Sequence, residues 1–291
     1  MGVLGFGPGM FSVEDMKDPL HMEKNLMKMD PVSLRAVIRQ AAHWIDNGIQ
    51  RYHQHSELPK AMLDSASIVL KLALKVWEKR GYESDKGDIK YSFDALRKSD
   101  AFEKTLIYQP SPPCAPFSEN DLKTLERTIV ERRSIRRFSP RDVSDSLIEK
   151  IIEAGIWAPS ACSLQGFRFF VIKDAEKKKL IRQPWIVPVI IIAGLDERPY
   201  EFIRMNQLSY NCYLELGAAI QNMLLMAYAL GLGTSLGTFV GELDLIRRAL
   251  KVPDYIKIIT YFALGWPEDQ PTTVPRMELK EFVTREEWTG D

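Results

Sequence analysis

Residues 218–237 read AAIQNMLLMAYALGLGTSLG. This order of apolar helix, glycine turn and strand restricts the folds that are compatible with the sequence. The apolar residues belong to a helix that the pattern predicts from Tyr210 to Leu230. The glycines at 231 and 233 follow this helix and precede GTSLGTF, a segment typical of a strand. Because a dinucleotide-binding turn has the reverse order and the spacing GxGxxG, these glycines do not form one.

Helices and short apolar strands alternate around this stretch. Strands rich in β-branched and aromatic residues are predicted at Phe167–Ile172, at Val187–Ala193 and over KIITYFALGW at 257–266. Helices are predicted from the capping residues Ser118 and Asp121 toward Arg132, around residues 147–152, and over Glu242–Leu250. This order predicts an α+β fold.

The N-terminal third follows a different pattern. The first thirty residues are rich in Gly and Met without a clear period, which favours a flexible arm or a wrapping tail over a core element. Asp30 and Pro31 can begin a helix whose apolar residues run from Leu34 to Ile49. A second apolar stripe runs from Met62 to Trp77 and stops before Gly81. Together these stripes predict a helical hairpin with one apolar face.

A proline-rich segment divides the chain. Residues 108–120 read YQPSPPCAPFSEN, and their four prolines exclude a helix. We therefore predict a helical N-terminal extension (1–107), a linker (108–120) and a larger domain (121–291). Two helices bury too little area to be stable alone, so we expect the extension to dock on the larger domain or, through its long linker, on a second subunit. There it would shape access to a site or lock a dimer without supplying a catalytic group.

Composition excludes several classes of function. The 291 residues contain 39 Lys+Arg and 39 Asp+Glu, a balance that argues against a nucleic-acid or acidic-membrane partner. The 3 cysteines lack CxxC spacing, which indicates neither a disulfide framework nor a zinc site and fits a reducing compartment. No secretory leader pattern and no membrane-spanning apolar run is found. We expect a soluble cytoplasmic protein.

Positive charge is concentrated at residues 131–138, ERRSIRRF. Arg132, Arg133, Ser134 and Arg136 offer charged donors and a hydroxyl, which suit a phosphate group and an electron-rich ring edge. A solvated basic face at a helix end is the alternative, and these residues alone leave both interpretations open. All 4 histidines lie in the extension, so the larger domain lacks the imidazole of most nucleophile triads.

Four motifs in this order carry a resemblance to a known family. They are RRSIR at 132–136, APSACSLQGFRF at 158–169, the 218–237 stretch, and the ALGWP…PR segment from Ala263 to Arg276. From Asp121 onward the chain resembles the nitroreductase family of FMN flavoproteins. The resemblance implies a nitroreductase-like fold, with a central, mainly antiparallel sheet flanked by helices, and a homodimer with FMN at the subunit interface.

The resemblance also implies the flavin contacts. Residues similar to those at the FMN phosphate, ribityl chain and pyrimidine edge are Arg132, Arg133, Ser134, Arg136 and Arg276. The turn that in the family reaches the other subunit's flavin corresponds to Pro159, Ser160, Ala161, Ser163 and Gln165. The strand after GLG would place backbone amides beside flavin N5 and O4, at Leu236, Gly237 and Thr238.

Three positions depart from the family pattern. Ser163 stands where many members have Asn, Gly166 where Pro is common, and Val274 where Lys is frequent.

A fixed cation beside flavin N1 and O2 favours reduction of the flavin. Arg136 is the first candidate for this cation, and Arg182 is the second.

The resemblance implies a nitroreductase-type oxidoreductase that uses NADH or NADPH. Its reaction would be ping-pong hydride transfer through flavin N5 to a small aromatic or conjugated acceptor of nitro, quinone or enone type. The flavin would do this chemistry, so no catalytic side chain and no metal site is predicted. The alternatives are a non-catalytic module that stores FMN or senses redox state, and a flavin-fragmenting or dehalogenating branch of the family.

Overall fold

The computed structural model of the chain describes residues 18–52, 57–105, 112–181, 186–201, 208–239 and 243–287. Its N-terminal part is helical and its C-terminal part is built on one antiparallel sheet, as predicted. Among the described residues, no helix combines the length and apolarity needed to cross a bilayer.

Within the described residues, the N-terminal unit contains four helices: α1 (Pro19–Lys28), α2 (Pro31–Arg51), α3 (Glu57–Lys79) and α4 (Gly87–Thr105). The predicted start of α2 is confirmed, because the Asp30 side chain accepts hydrogen bonds from the backbone N–H groups of Val32 (3.0 Å) and Ser33 (3.2 Å). A proline follows the N-cap of α1 in the same way, after Asp18.

The described part of this unit differs from the prediction in two ways. Helix α1 has fully buried Met22 and Leu26, so residues 19–28 belong to a core and the prediction was wrong for them, while residues 1–17 lie outside the described residues. The expected hairpin is present, because α2 and α3 pack on each other, and α4 packs on both of them as a further helix. The unit therefore has a hydrophobic core of its own, which includes Ile38 and Leu70. Stability of this unit does not rest on two helices alone.

The remaining helices are α5 (Glu119–Glu131), α6 (Asp145–Ile156), α7 (Ala175–Lys179), α8 (Arg198–Glu201), α9 (Leu208–Ala229) and α10 (Leu243–Leu250). The predicted cap of α5 is confirmed as a capping box between Ser118 and Asp121. Helix α5 thus begins inside the predicted linker. Residues 112–118 have no helix or strand, and residues 108–111 lie outside the described ranges.

The sheet has the strand order β1-β2-β4-β3, and every neighbouring pair is antiparallel. Its strands are β1 (Phe167–Ile172), β2 (Val189–Asp196), β3 (Gly233–Gly237) and β4 (Ile256–Gly265). Strand β2 begins two residues later than predicted, because Pro188 has no N–H to pair, and it continues through a bulge at Ala193/Gly194. Helices α6 and α9 cover one face with Ile151 and Met223, and α10 covers the other with Ile246.

Candidate functional site

The arginine-rich segment runs from the end of α5 to the open side of β3. Arg132 ends the helix with extended backbone, and the Ile135 N–H then donates to the Thr234 carbonyl at 2.8 Å. Ser134 and Thr234 form a parallel bridge. The arginines are therefore held against an edge strand, not on a free helix end.

A cavity of about 690 Å³ collects the residues that the sequence assigns to the phosphate end of the cofactor. Its lining includes Arg132, Arg133, Ser134, Arg136 and Arg276. Val274, the position where a lysine is frequent, lies in the same wall. The structure thus brings together two segments that are about 140 residues apart in the sequence.

Excess positive charge characterises this cavity. The Nε of Arg132 is buried without a hydrogen-bond partner, and no described carboxylate forms an ion pair with Arg132 or Arg276. Burial and the neighbouring charges of Arg133 and Arg276 lower the pKa of the Arg132 guanidinium. Arg133 has a different role, because it donates to Thr273 Oγ1 at 2.7 Å and so holds the C-terminal segment in place. A buried Nε–H without an acceptor, in a cavity lined by further guanidinium groups, calls for an anion.

The edge of β3 offers backbone donors beside this cavity. The Thr234 carbonyl points away from β4, and alternate residues of a strand point the same way, so the Leu236 N–H also faces the open edge. No described residue pairs with it there. A Cβ on Gly237 would lie 2.3 Å from the Tyr261 ring, so this position requires glycine. Thr238 follows, exposed, just beyond the strand.

The predicted small-residue turn has unusual backbone. Pro159 and Ser160 lead into a short 3₁₀ turn, Ala161–Ser163. Cys162, Ser163 and Gln165 have φ of 51°, 57° and 53°, in the left-handed region that non-glycine residues rarely adopt. Such a sequence of conformations persists only where surrounding contacts impose it.

Glu215 of α9 supplies one set of those contacts. Its buried carboxylate accepts from the Ala161 N–H (2.8 Å), the Ser160 hydroxyl (3.0 Å) and the Tyr200 hydroxyl (3.1 Å). Ser160 Oγ in turn accepts from the Gln165 N–H at 2.8 Å. Burial raises the pKa of Glu215, although these three donors favour its ionised form.

Helix α2 of the N-terminal unit supplies the second set. The Arg39 guanidinium donates from Nε to the Ser163 carbonyl (3.0 Å) and from Nη2 to the Leu164 carbonyl (2.7 Å). Its Nη1 pairs with Asp88 at 3.2 Å, and Asp88 also binds Arg35. Arg39 is only 7% exposed. The N-terminal unit therefore docks, as predicted, on the larger domain, and it does so on the turn of its own chain.

Other predicted residues have clear placements. Tyr200 lies against Gly166, where an added Cβ would come within 2.2 Å of its ring, which explains why glycine stands there. Arg168 pairs with the buried Asp196 at 2.8 Å. Burial raises the pKa of the half-buried Cys162 thiol, which lowers its reactivity as a nucleophile. Arg182 lies outside the described residues.

The two halves of the predicted site lie at opposite edges of the sheet. The turn precedes β1, the arginines lie beside β3, and β2 and β4 separate them. Three strand spacings of about 4.8 Å give roughly 14 Å across the sheet. One chain therefore does not bring the halves together.

Sequence reasoning missed Arg39, Glu215 and Tyr200. The one available signal was Glu215, which is the single charged residue of a helix of 22 residues. Arg39 gave no signal, because it lies 124 residues from the carbonyl that it holds.

Comparison with known proteins gives a consistent result. The model described as "Nitroreductase family" matches residues 129–202 and 183–266. A protein of Archaeoglobus fulgidus, provisionally named an NADH dehydrogenase/NAD(P)H nitroreductase, is 32% identical over 155 residues, covering 50% of this chain and 86% of that protein. A provisionally named nitroreductase of Desulfovibrio desulfuricans, solved in complex with FMN, is 32% identical with a TM-score of 0.50, covering 57% of this chain and 97% of that one. The NADPH:FMN oxidoreductase of Vibrio harveyi, solved with NAD+, is 25% identical with a TM-score of 0.51, covering 57% and 78%.

Proposed function

The chain belongs to the nitroreductase family, and on that premise we propose that it is an NAD(P)H-dependent oxidoreductase with FMN as its cofactor. We further propose ping-pong turnover with a small aromatic or conjugated acceptor of nitro, quinone or enone type. When bound, FMN supplies the redox chemistry, taking a hydride at N5 from NADH or NADPH and delivering it to the acceptor.

The observation that carries this proposal is the unpaired, buried Arg132 Nε among converging guanidinium groups. A phosphate monoester provides the charge and the acceptor oxygens that this cavity lacks. Arg132 and Arg276 then bind phosphate, while Ser134 donates a hydroxyl. Arg133 contributes indirectly by holding the 271–276 segment through Thr273.

The open edge of β3 suits the polar edge of a flavin ring. The Leu236 N–H faces that edge and can donate to the flavin, while Gly237 leaves room for the Tyr261 ring beside it. Arg136 lines the same cavity and can orient the pyrimidine edge as a fixed cation. These residues bind and orient, and none of them needs to transfer a proton.

A second copy of the chain is needed to complete the site. The turn at 159–165 lies across the sheet from the arginine cavity, so we propose a homodimer in which each turn reaches the partner's flavin. Two exposed apolar side chains on α5, Leu122 and Leu125, offer surface that a second copy would cover.

We also propose the domain boundaries and the cellular location. The division into residues 1–107, 108–120 and 121–291 is supported by the family match, which begins at residue 129. A cytoplasmic location is favoured by the three cysteines, all unpaired.

The test is flavin retention after replacement of Arg132 and Arg136 together by alanine. Each charge-assisted contact is worth about 1.5–3 kcal/mol, so the affinity of the double variant for FMN should fall by several orders of magnitude. Arg137→Ala is the matched control, since that side chain is 70% exposed and pairs with Glu268. Stoichiometric FMN in the double variant would refute the cofactor site.

Turnover is tested on the wild-type protein under anaerobiosis. The yellow protein should bleach with NADH or NADPH and recolour when 1,4-benzoquinone is added. Persistent yellow with both nucleotides would instead identify a flavin-binding module without turnover.

A further inference from the structure

A cavity of about 430 Å³ lies between helix α2 and the turn at 159–165. His43 of α2 forms one wall, and Trp157, Ser160, Ser163 and Gln165 form the other. The family match begins at residue 129, so the α2 wall lies outside it. The cavity therefore combines a family element with an element particular to this chain.

The two walls are fixed relative to each other. Arg39 donates to two carbonyls of the turn, and Ala36 and Leu164 pack together in a small buried cluster. Asp88 holds Arg39 from the other side. A cavity whose walls are bonded to each other before a ligand arrives is preorganised.

The polar groups that face the cavity differ in what they can still bond. The Ser160 hydroxyl hydrogen is not available to a ligand, since it donates to Glu215, while the oxygen accepts from the Gln165 N–H. Ser163 Oγ accepts from Gln165 Nε2 at 3.3 Å, which leaves its hydroxyl hydrogen for a ligand. The cavity thus offers a donor at Ser163.

His43 provides a second donor. Its Nε2 lies 2.9 Å from Asn47 Nδ2, which can only donate, so the neutral ring carries its proton on Nδ1. No described residue accepts from that nitrogen. Burial lowers the pKa of His43, which keeps the ring neutral near pH 7. Two donors beside an exposed indole suit a planar conjugated molecule with an accepting oxygen.

We propose that this cavity is a binding subsite for the electron acceptor and that His43 is a specificity-determining residue for planar conjugated acceptors, nitroaromatic or quinone, with a nitro or carbonyl oxygen. The inference rests on the proposed function, in which the turn reaches the flavin of the second copy. In this arrangement the N-terminal unit selects the acceptor, and the flavin does the chemistry.

The experiment compares His43→Phe and His43→Gln with the wild type. His43→Phe keeps a ring and removes the donor, whereas His43→Gln keeps a donor. His21→Ala is the matched control, because His21 is exposed on α1. Steady-state KM and kcat are measured with 1,4-benzoquinone and with ferricyanide, a charged acceptor that needs no cavity. FMN content and the rate of anaerobic reduction by NAD(P)H are measured for each variant.

A second readout does not depend on turnover. Protein labelled with ¹⁵N-histidine is titrated with nitrobenzene in the absence of NAD(P)H, and the His43 imidazole signal is identified by its loss in His43→Phe. Nitrobenzene should shift that signal and leave the His21 signal in place.

We expect His43→Phe to raise the KM for benzoquinone about fivefold, the effect of one lost hydrogen bond, with ferricyanide kinetics, FMN content and the reduction rate unchanged. His43→Gln should recover most of the loss. An unchanged KM together with an unperturbed His43 signal would overturn the inference and leave the proposed function standing. Loss of FMN in His43→Phe would reassign His43 to the cofactor, and a wild type that binds no FMN would overturn both proposals.

Discussion

Replacing Arg39 by methionine tests whether the N-terminal unit imposes the strained backbone of the turn. Methionine keeps the length and apolar stem of the side chain and removes every donor. The Ser163 and Leu164 carbonyls, now bound at 3.0 and 2.7 Å, lose their partner. Asp88 keeps its two contacts to Arg35, at 2.7 and 2.6 Å, so no buried carboxylate is left unpaired.

The magnitude follows from these contacts. Two hydrogen bonds from a charged donor are worth about 3–6 kcal/mol together. Part of this free energy is recovered, because the variant no longer buries a charged guanidinium. We therefore expect a net loss of about 2–4 kcal/mol in the free energy of unfolding. The left-handed residues of the turn should then be free to relax.

Urea unfolding measures the global loss, and amide hydrogen exchange measures the turn. The Gln165 amide, which donates to Ser160 Oγ, should exchange about 30-fold faster or more in Arg39→Met. Arg35→Met is the matched control, since Arg35 contacts Asp88 but no carbonyl of the turn, and it should cost about 1 kcal/mol or less. Equal losses in the two variants, or unchanged exchange of Gln165 in Arg39→Met, would refute the reasoning.

Three further outcomes are expected. Glu215→Gln should remove a pH dependence of the free energy of unfolding. The pKa of Glu215 is raised in the folded protein, which therefore binds this proton more tightly than the unfolded chain does. The stability of the wild type should fall relative to that of the variant as pH rises from about 4.5 through the raised pKa. Urea midpoints of the two proteins between pH 4 and 8 check this, and parallel curves would contradict it. Gly237→Val should clash with the Tyr261 ring, displace β3 and so lower the melting temperature and the FMN content, whereas a flavin-loaded variant of normal stability would argue against the tight contact between Gly237 and Tyr261. Leu125→Glu, on the exposed face of α5, should leave the monomer folded and weaken the dimer in sedimentation, and an unchanged dimer would place the interface elsewhere.

The sequence predicted those parts of the fold whose signal is local. The caps at Asp30 and Ser118 and the strand Phe167–Ile172 follow from neighbouring residues, and the structure confirms them. Helix α4 was not predicted, because it buries small polar side chains and so shows no apolar stripe in the sequence. Ser99 is one of them, and it bonds Ser67 of α3 at 2.9 Å.

The candidate site divides in the same way. The arginine cavity could be predicted because charge and hydroxyl groups stand together in RRSIR, and the structure places all of them in one wall. The contacts that hold the turn could not be predicted from the sequence, since Arg39 and Glu215 belong to helices that are distant from the turn along the chain. Their effect depends on distances that only the folded chain defines.

The separation of the turn from the arginine cavity has a genetic consequence. In the proposed dimer each flavin is held by the arginines of one chain and the turn of the other, so a defect in either segment damages both sites of a homodimer. A chain defective only in its arginines and a chain defective only in its turn would, when co-expressed, assemble one undamaged site per mixed dimer. Two inactive alleles would then complement each other, and recessive lesions would sort into two groups along a single gene.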